Sequence, residues 1–333
     1  MHLRRLQGRE LTLILLTGAG FSRNWGGWLA NEVFEYVLGR PEVGNELRQR
    51  LWADKLRQRG FEETLGDIQQ EAARGAPRTR EMVDQFMAAL VAMFHEMNRG
   101  LAAAAFEPQR SDQRYSVTTF LRRFDYIFTL NQDLALEHHY IPGMKGHCVT
   151  PGLVPIAQPD LVFGSSPDDP STFKLAADKQ PYIKLHGSSN WVRPGGSPLL
   201  VLGGGKEIEI RREPLLNWYE REFAIALKGS DAKLVVIGYS FSDAHVNRVI
   251  GQAAESGGLS LFIVDPNGVD VLDPWRDRPV HIRGDAPIRD QLSPHIRGAS
   301  RRPLSATFGY DRVEHAKLMH FLGVPDPATL NLG

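Results

Sequence analysis

Leu11-Thr-Leu-Ile-Leu-Leu-Thr17 followed by Gly18-Ala19-Gly20-Phe21-Ser22 is the stretch on which the fold turns. A short aliphatic run bounded by glycines fits a strand buried on both faces, as in a parallel sheet covered by helices. Glycines at the turn let the backbone come close to a phosphate, and free amides at the start of the following helix would bind it. The Gly-x-Gly-x-x-Gly fingerprint is incomplete, because Arg23 stands where the third glycine belongs, and a plain tight turn fits the same residues.

Four later segments repeat the pattern of an apolar run ending in small or polar residues. Asp125-Tyr-Ile-Phe-Thr-Leu130 runs into Asn131-Gln-Asp133, and Tyr182-Ile-Lys-Leu185 into His186-Gly-Ser-Ser-Asn-Trp191. Leu234-Val-Val-Ile237 ends in Gly238-Tyr-Ser240-Phe-Ser-Asp243, and Leu259 to Val264 ends in Asp265-Pro-Asn267. Strand ends are where a doubly wound sheet places its ligand chemistry. Each segment also has a plain reading. Asn131 and Asp133 suit the N-terminus of a helix over Leu134–His139, and His186, in what reads as an open loop, could simply bond backbone. Asp243 starts a helix over His245–Glu255.

The 333 residues suffice for one large core or two smaller ones, with 42% hydrophobic and 23% charged residues as in ordinary globular proteins. Basic and acidic residues balance at 39 each, so no global field draws in nucleic acid, and direct nucleic-acid binding is not expected. Cys148 is the single cysteine, which excludes an internal disulfide and a four-cysteine zinc site. No run reaches the ~20 apolar residues that span a bilayer. The N-terminal apolar stretch ends in the glycine turn without a cleavage site. A cytoplasmic protein without membrane contact is expected.

Residues 42–112 carry helical signal and little strand signal, and read as a helical module inserted after the first strand. Met82, Phe86, Leu90 and Phe94 fall on one face, as core residues do. Between them and the first turn, Gly26 and Gly27 separate Trp25 from Trp28. That segment could close over a ligand or simply pack its indoles, Trp28 the more readily. His138, His139, His147 and Cys148 are close in sequence but match no metal-ligand spacing. Gly203-Gly-Gly-Lys206 lacks the leading glycine and the Ser/Thr of a phosphate loop, and reads as a turn between Leu199–Leu202 and Ile208–Ile210. Pro214–Lys228 and Glu314–Leu322 read as helices, and 268–303 gives no clear pattern. The expected architecture is α/β, a Rossmann-like doubly wound parallel sheet with an inserted helical module.

The five strand-end motifs together resemble the sirtuin superfamily, and its bacterial anti-phage defence branch more closely than its protein deacylases. The resemblance covers Leu11 to Asn267 without the insertion. It implies one catalytic domain over 1–333, with the helical module at 42–112 and a C-terminal extension at 268–333. It implies that Gly18, Ala19, Gly20 and Ser22 hold the NAD pyrophosphate, with Gly238, Ser240, Asp265 and Asn267 lining the adenosine side. It also implies catalytic roles for Asn131 and His186 and a nicotinamide-side role for Asp133. The chain departs from the deacylases in lacking their four zinc cysteines, in having Arg23-Asn-Trp-Gly-Gly-Trp28 after the first turn, and in Leu130 where they have Gln.

What remains implied is an enzyme that uses NAD as substrate, without zinc, releasing nicotinamide and ADP-ribose to deplete NAD on infection. The resemblance further implies control by homo-oligomerisation or by a partner such as a HerA-like hexameric ATPase. A nucleotide-sensing regulatory subunit and an ADP-ribosyl transferase or deacylase are the alternatives.

Overall fold

Leu11–Thr17 forms the central strand of the molecule. The computed structural model describes residues 11–109, 112–157, 161–176, 178–229, 231–273 and 287–324. In chain order its strands are β1 (Leu11–Thr17), β2 (Tyr126–Thr129), β3 (Cys148–Val149), β4 (Leu153–Pro155), β5 (Ser165–Pro167) and β6 (Gln180–Lys184). They continue with β7 (Gly187–Val192), β8 (Pro198–Leu200), β9 (Asp231–Ile237), β10 (Leu259–Val264) and β11 (Ile296–Ser300).

The helices are α1 (Ala19–Ser22), α2 (Ala30–Leu38), α3 (Asn45–Leu56), α4 (Phe61–Ala73), α5 (Pro77–Ala103), α6 (Val117–Leu121) and α7 (Ala135–His139). They continue with α8 (Lys206–Arg212), α9 (Pro214–Leu227), α10 (Ala244–Glu255), α11 (Pro287–Leu292), α12 (Leu304–Gly309) and α13 (Arg312–Phe321).

Seven strands form one sheet in the order β11-β10-β9-β1-β2-β6-β3, with every neighbouring pair parallel. The alternation of side chains explains why β1 is apolar throughout. Ile14 and Leu16 pack on one face with α9 and α10, while Leu13 and Leu15 pack on the other with α6, α12 and α13. Strand β9 divides in the same way, Leu234 and Val236 against Val235 and Ile237. A parallel strand covered on both faces has no solvent side to carry polar residues. This is a Rossmann-like doubly wound α/β fold.

After β1 the chain builds outward through β2, then β3, with β6 between them; β9 then returns to the opposite side of β1. Winding therefore reverses between β1 and β9, and the crevice beyond their carboxyl ends is the switch point of the sheet. The segment 287–324 is part of this architecture, because β11 forms the sheet's edge beside β10 and α12 and α13 cover one face.

Helices α2 to α5 pack as a separate apolar cluster, which also takes in Ala135, Leu200 and Leu202. Met82, Phe86, Leu90 and Phe94 lie within it, and so do Val33, Phe34 and Val37 of α2, so the packed unit starts before residue 42. The turn at Gly203–Gly205 is present, but Ile208–Ile210 lies in α8 and is not extended. Gly205 takes a left-handed φ of 82°, then Glu207 and Glu209 occupy the first turn and Arg211 and Arg212 the last. That charge order favours a helix through its macrodipole. The glycine run also has a packing reason, since a Cβ on Gly204 would lie 3.1 Å from Gly66 Cα in α4. Among the described residues, no helix is long and apolar enough to cross a membrane.

Candidate functional site

A cleft of about 1060 Å³ opens at the switch point. Its floor is made by the turns after β1 and β9, and these interlock. The Gly18 amide donates to Ile237 O at 3.0 Å and the Gly20 amide to Gly238 O at 2.9 Å. A Cβ on Gly18 would lie 2.6 Å from Gly238 O, and one on Gly20 would lie 2.7 Å from Gly238 Cα. Gly238 itself has φ +62°, and a Cβ there would overlap the Gly20 backbone. The glycines are therefore required by backbone-to-backbone packing, and two of the amides expected to be free for phosphate are already bonded within the protein. Gly18, Ala19, Gly20, Gly238 and Ser240 line the cleft, and Ser240 Oγ pairs with Ser242 Oγ at 2.9 Å.

Ser22 is not on the cleft wall. It is 2% exposed, and its Oγ accepts the Asn131 side-chain amide at 2.9 Å. Its hydroxyl supports Asn131, because the helical turn of α1 carries the side chain inward. The Asn131 backbone amide donates to Thr129 Oγ1, which also receives the Thr17 hydroxyl. Asn131 is thus held from β1 and β2 together, and it lines the cleft.

Asp133 also lines the cleft, with Oδ1 accepting the Ala135 amide at 3.0 Å. It therefore helps begin α7 while keeping its second oxygen for other partners. Beneath it lies a buried ion pair. Lys184 Nζ donates to the Asp133 carbonyl and to Glu137 Oε1, the latter at 2.8 Å, and Tyr182 OH donates to Glu137 Oε2. Burial pushes the Glu137 carboxyl up, and Lys184 opposes that shift. From the helical module, Asn98 accepts the Leu134 amide at 2.9 Å and donates to Ser189 Oγ at 3.0 Å.

His186 lies at the junction of β6 and β7, 3% exposed, and not in an open loop. Its backbone carbonyl accepts from the Val201 amide and from Gln132 Nε2, so β8 and the loop after β2 close over it. Its Nε2 lies 3.0 Å from Nε2 of His245 in α10. Burial lowers the His186 imidazole to about 3, against the pull of the Asp243 carboxylate, and burial likewise lowers His245. Both rings are neutral near pH 7.

Sequence reading missed Asp243, His245, Lys206 and Glu62. Asp243 occupies the N-cap position of α10 but makes no side-chain cap bond. Its carboxylate goes instead to Lys206 Nζ at 3.0 Å, and the same ammonium meets Glu62 of α4. Burial would raise Asp243, yet the surrounding charges outweigh it and hold the carboxyl below its ordinary value. Burial would lower Lys206, and Glu62 and Asp243 reverse that. An aspartate at a helix start with histidine two residues later, directly after a strand-end motif, was the available signal. Glu62 offered none, being an ordinary helix-start carboxylate in sequence.

On the far side, Asp265 and Asn267 line the cleft, Asp265 Oδ1 accepting the Asn267 amide at 2.8 Å. Arg301 and Arg302 complete this wall from just after β11, so the C-terminal segment contributes to the site. The loop before α2 and the helical module add a largely apolar lining of Trp28, Val33, Phe61, Leu90, Met93 and Phe94, with Glu62 and Glu63 beside it. Trp25 instead stacks on Phe106 at 4.4 Å and donates Nε1–H to its carbonyl. Trp28 packs its indole as expected, against Tyr36 at 4.9 Å, while also facing the cleft, and Trp25 packs as well.

His138, His139, His147 and Cys148 do not converge. His139 bonds Leu101 O and stacks on Phe106, and burial pushes the Cys148 thiol up to about 12. Among the described residues, the group of three metal-capable side chains with ligand atoms within 4.8 Å is His186, Asp243 and His245.

No protein-family model matches this chain, and no curated protein matches it.

Proposed function

We propose that this protein is an NAD+ glycohydrolase that cleaves the nicotinamide–ribose bond in the switch-point cleft. The observation that carries the reading is that Asn131, Asp133 and His186, from the ends of two strands, line one cleft. Nicotinamide is a good leaving group because the bonding pair neutralises its cationic ring. The reaction passes through an oxocarbenium-like ribose, as in other glycoside cleavage. The protein's task is then to position the ribose and to admit one water at C1′.

Asn131, fixed through Ser22, orients the ribose and that water by hydrogen bonds. Asp133 holds the nicotinamide carboxamide through its oxygen not spent on α7. His186, neutral near pH 7, accepts the proton that water loses as its oxygen bonds C1′, and later releases it to solvent. A base this weak suits a late proton transfer, once the water oxygen has become cationic. Gly18, Ala19 and Gly20 set the floor beneath the pyrophosphate, and Gly238, Ser240, Asp265 and Asn267 form the adenosine side. The apolar lining from the helical module excludes bulk water and covers the nicotinamide ring.

In this reading the cellular role is NAD depletion in bacterial defence against phage. Restraint before infection comes from self-association or from a HerA-like hexameric ATPase, a step that rests on the likeness of the motif set.

The test is incubation of NAD with the purified protein and with His186→Ala, following nicotinamide release by chromatography. Release by the wild type and a loss of ~10²–10⁴-fold in the variant is expected. NAD bound tightly and recovered intact, both by the protein alone and with a HerA-like ATPase added, overturns the reading in favour of a nucleotide sensor.

A further inference from the structure

Two neutral imidazoles cannot sit with their Nε2 atoms 3.0 Å apart unless one donates and the other accepts. The direction of that bond sets which nitrogen of His186 keeps a free lone pair. If His245 donates, His186 Nε2 is consumed as an acceptor and Nδ1 carries the proton, so the ring has no free basic nitrogen. If His186 donates, Nδ1 is free to accept. We infer that His245 is a positioning residue that fixes His186 in the Nε2–H tautomer and leaves Nδ1 as its proton acceptor. This rests on the base role given to His186 above.

The surroundings suit a proton arriving on His186. The Asp243 carboxylate lies within 4.8 Å of the ligand nitrogens of both rings, so the imidazolium formed on His186 has a stabilising anion beside it. Asp243 is held there by Lys206, which is itself tied to Glu62 of the helical module. A hydrogen bond from a neighbouring side chain to one ring nitrogen is how a histidine is held in one tautomer, and His245 is the side chain bonded to the His186 ring. A cation held by the same three side chains would face the Lys206 ammonium, which already bonds Asp243 at 3.0 Å. The Asp243 carboxylate therefore already has its counter-cation.

Two measurements test this in the full-length protein. The first is long-range 1H–15N NMR of histidine-labelled protein, with His186 assigned by its loss in His186→Ala. The expected wild-type pattern is a protonated Nε2 and a bare Nδ1 on His186, with the fixed tautomer lost in His245→Phe and kept in His245→Gln, whose amide oxygen can accept. A bare Nε2 in the wild type, or an unchanged pattern in His245→Phe, overturns the proposal whether or not NAD is hydrolysed.

The second is kinetic. His245→Phe should lower kcat about tenfold or more with KM within about twofold, and His245→Gln should restore most of it. Unchanged kcat in His245→Phe, or a glutamine variant no better than the phenylalanine one, also overturns it. Absence of turnover in the wild type strikes the hydrolase reading, while the NMR result still decides the tautomer.

Discussion

Asn131 and Ser22, 109 residues apart in sequence, are joined by a 2.9 Å hydrogen bond in which the asparagine amide donates to the serine hydroxyl. The bond fixes which end of the Asn131 side chain is left for a ligand, namely its oxygen and the remaining N–H. Ser22→Ala should therefore act through Asn131. Under the proposed hydrolase reading, a loss of about tenfold to a hundredfold in nicotinamide release is expected from misplacing Asn131. The circular dichroism spectrum should stay that of the wild type. An unchanged rate would show that Asn131 is held well enough by Thr129 alone.

The interlock of Gly20 and Gly238 makes a stability prediction. Gly238→Ala forces a side chain into a left-handed backbone position, worth about 1–3 kcal/mol, and also against Gly20. Gly20→Ala meets the Gly238 backbone without the conformational cost. The melting temperature should fall in both, and further in Gly238→Ala. A Gly238→Ala protein melting like the wild type would sink the interlock.

Lys184 is fully buried against Glu137 and the Asp133 carbonyl. Lys184→Met leaves the Glu137 carboxyl buried without its cation, at a cost of about 3–5 kcal/mol in urea unfolding. Adding Glu137→Met should recover most of the loss, since a buried pair replaced by apolar groups is often neutral. Additive losses in the double variant would argue against the pair as the source.

The buried His186 predicts a pH dependence of stability. Its folded pKa, about 3, lies below the ~6.5 of an unfolded histidine, so between those values the unfolded chain binds more protons. Its stabilising effect is complete above pH 6.5 and is lost as pH falls toward 3, by about 2 kcal/mol at pH 5. His245 adds in the same direction. Urea midpoints at pH 7.5 and pH 5 should diverge less in His186→Asn than in the wild type. Equal divergence would mean that His186 is not the group responsible.

Much of the sheet could be read from single segments. Leu11–Thr17, Leu234–Ile237 and Leu259–Val264 announce strands because both of their faces are covered, and the helices from Pro214 and near His245 announce themselves by period. Ile208–Ile210 was harder, because three alternating residues fit a strand as well as a helix until the flanking charges are weighed. The unclear stretch after 268 hid β11, since an edge strand such as Ile296-Arg-Gly-Ala-Ser300 has a half-exposed pattern with no apolar run.

By itself the sequence determined the doubly wound class and which strand ends would carry polar residues, because those features depend on local burial and turn chemistry. Only the tertiary structure decided that Ser22 supports Asn131, that Gly18 and Gly20 serve packing against Gly238, and that His245 meets His186. The same holds for Glu62, which reaches Asp243 through Lys206. Each of these is a contact between residues far apart in the chain, and a hydrogen bond's direction or a Cβ's clearance exists only once the distant partner is in place.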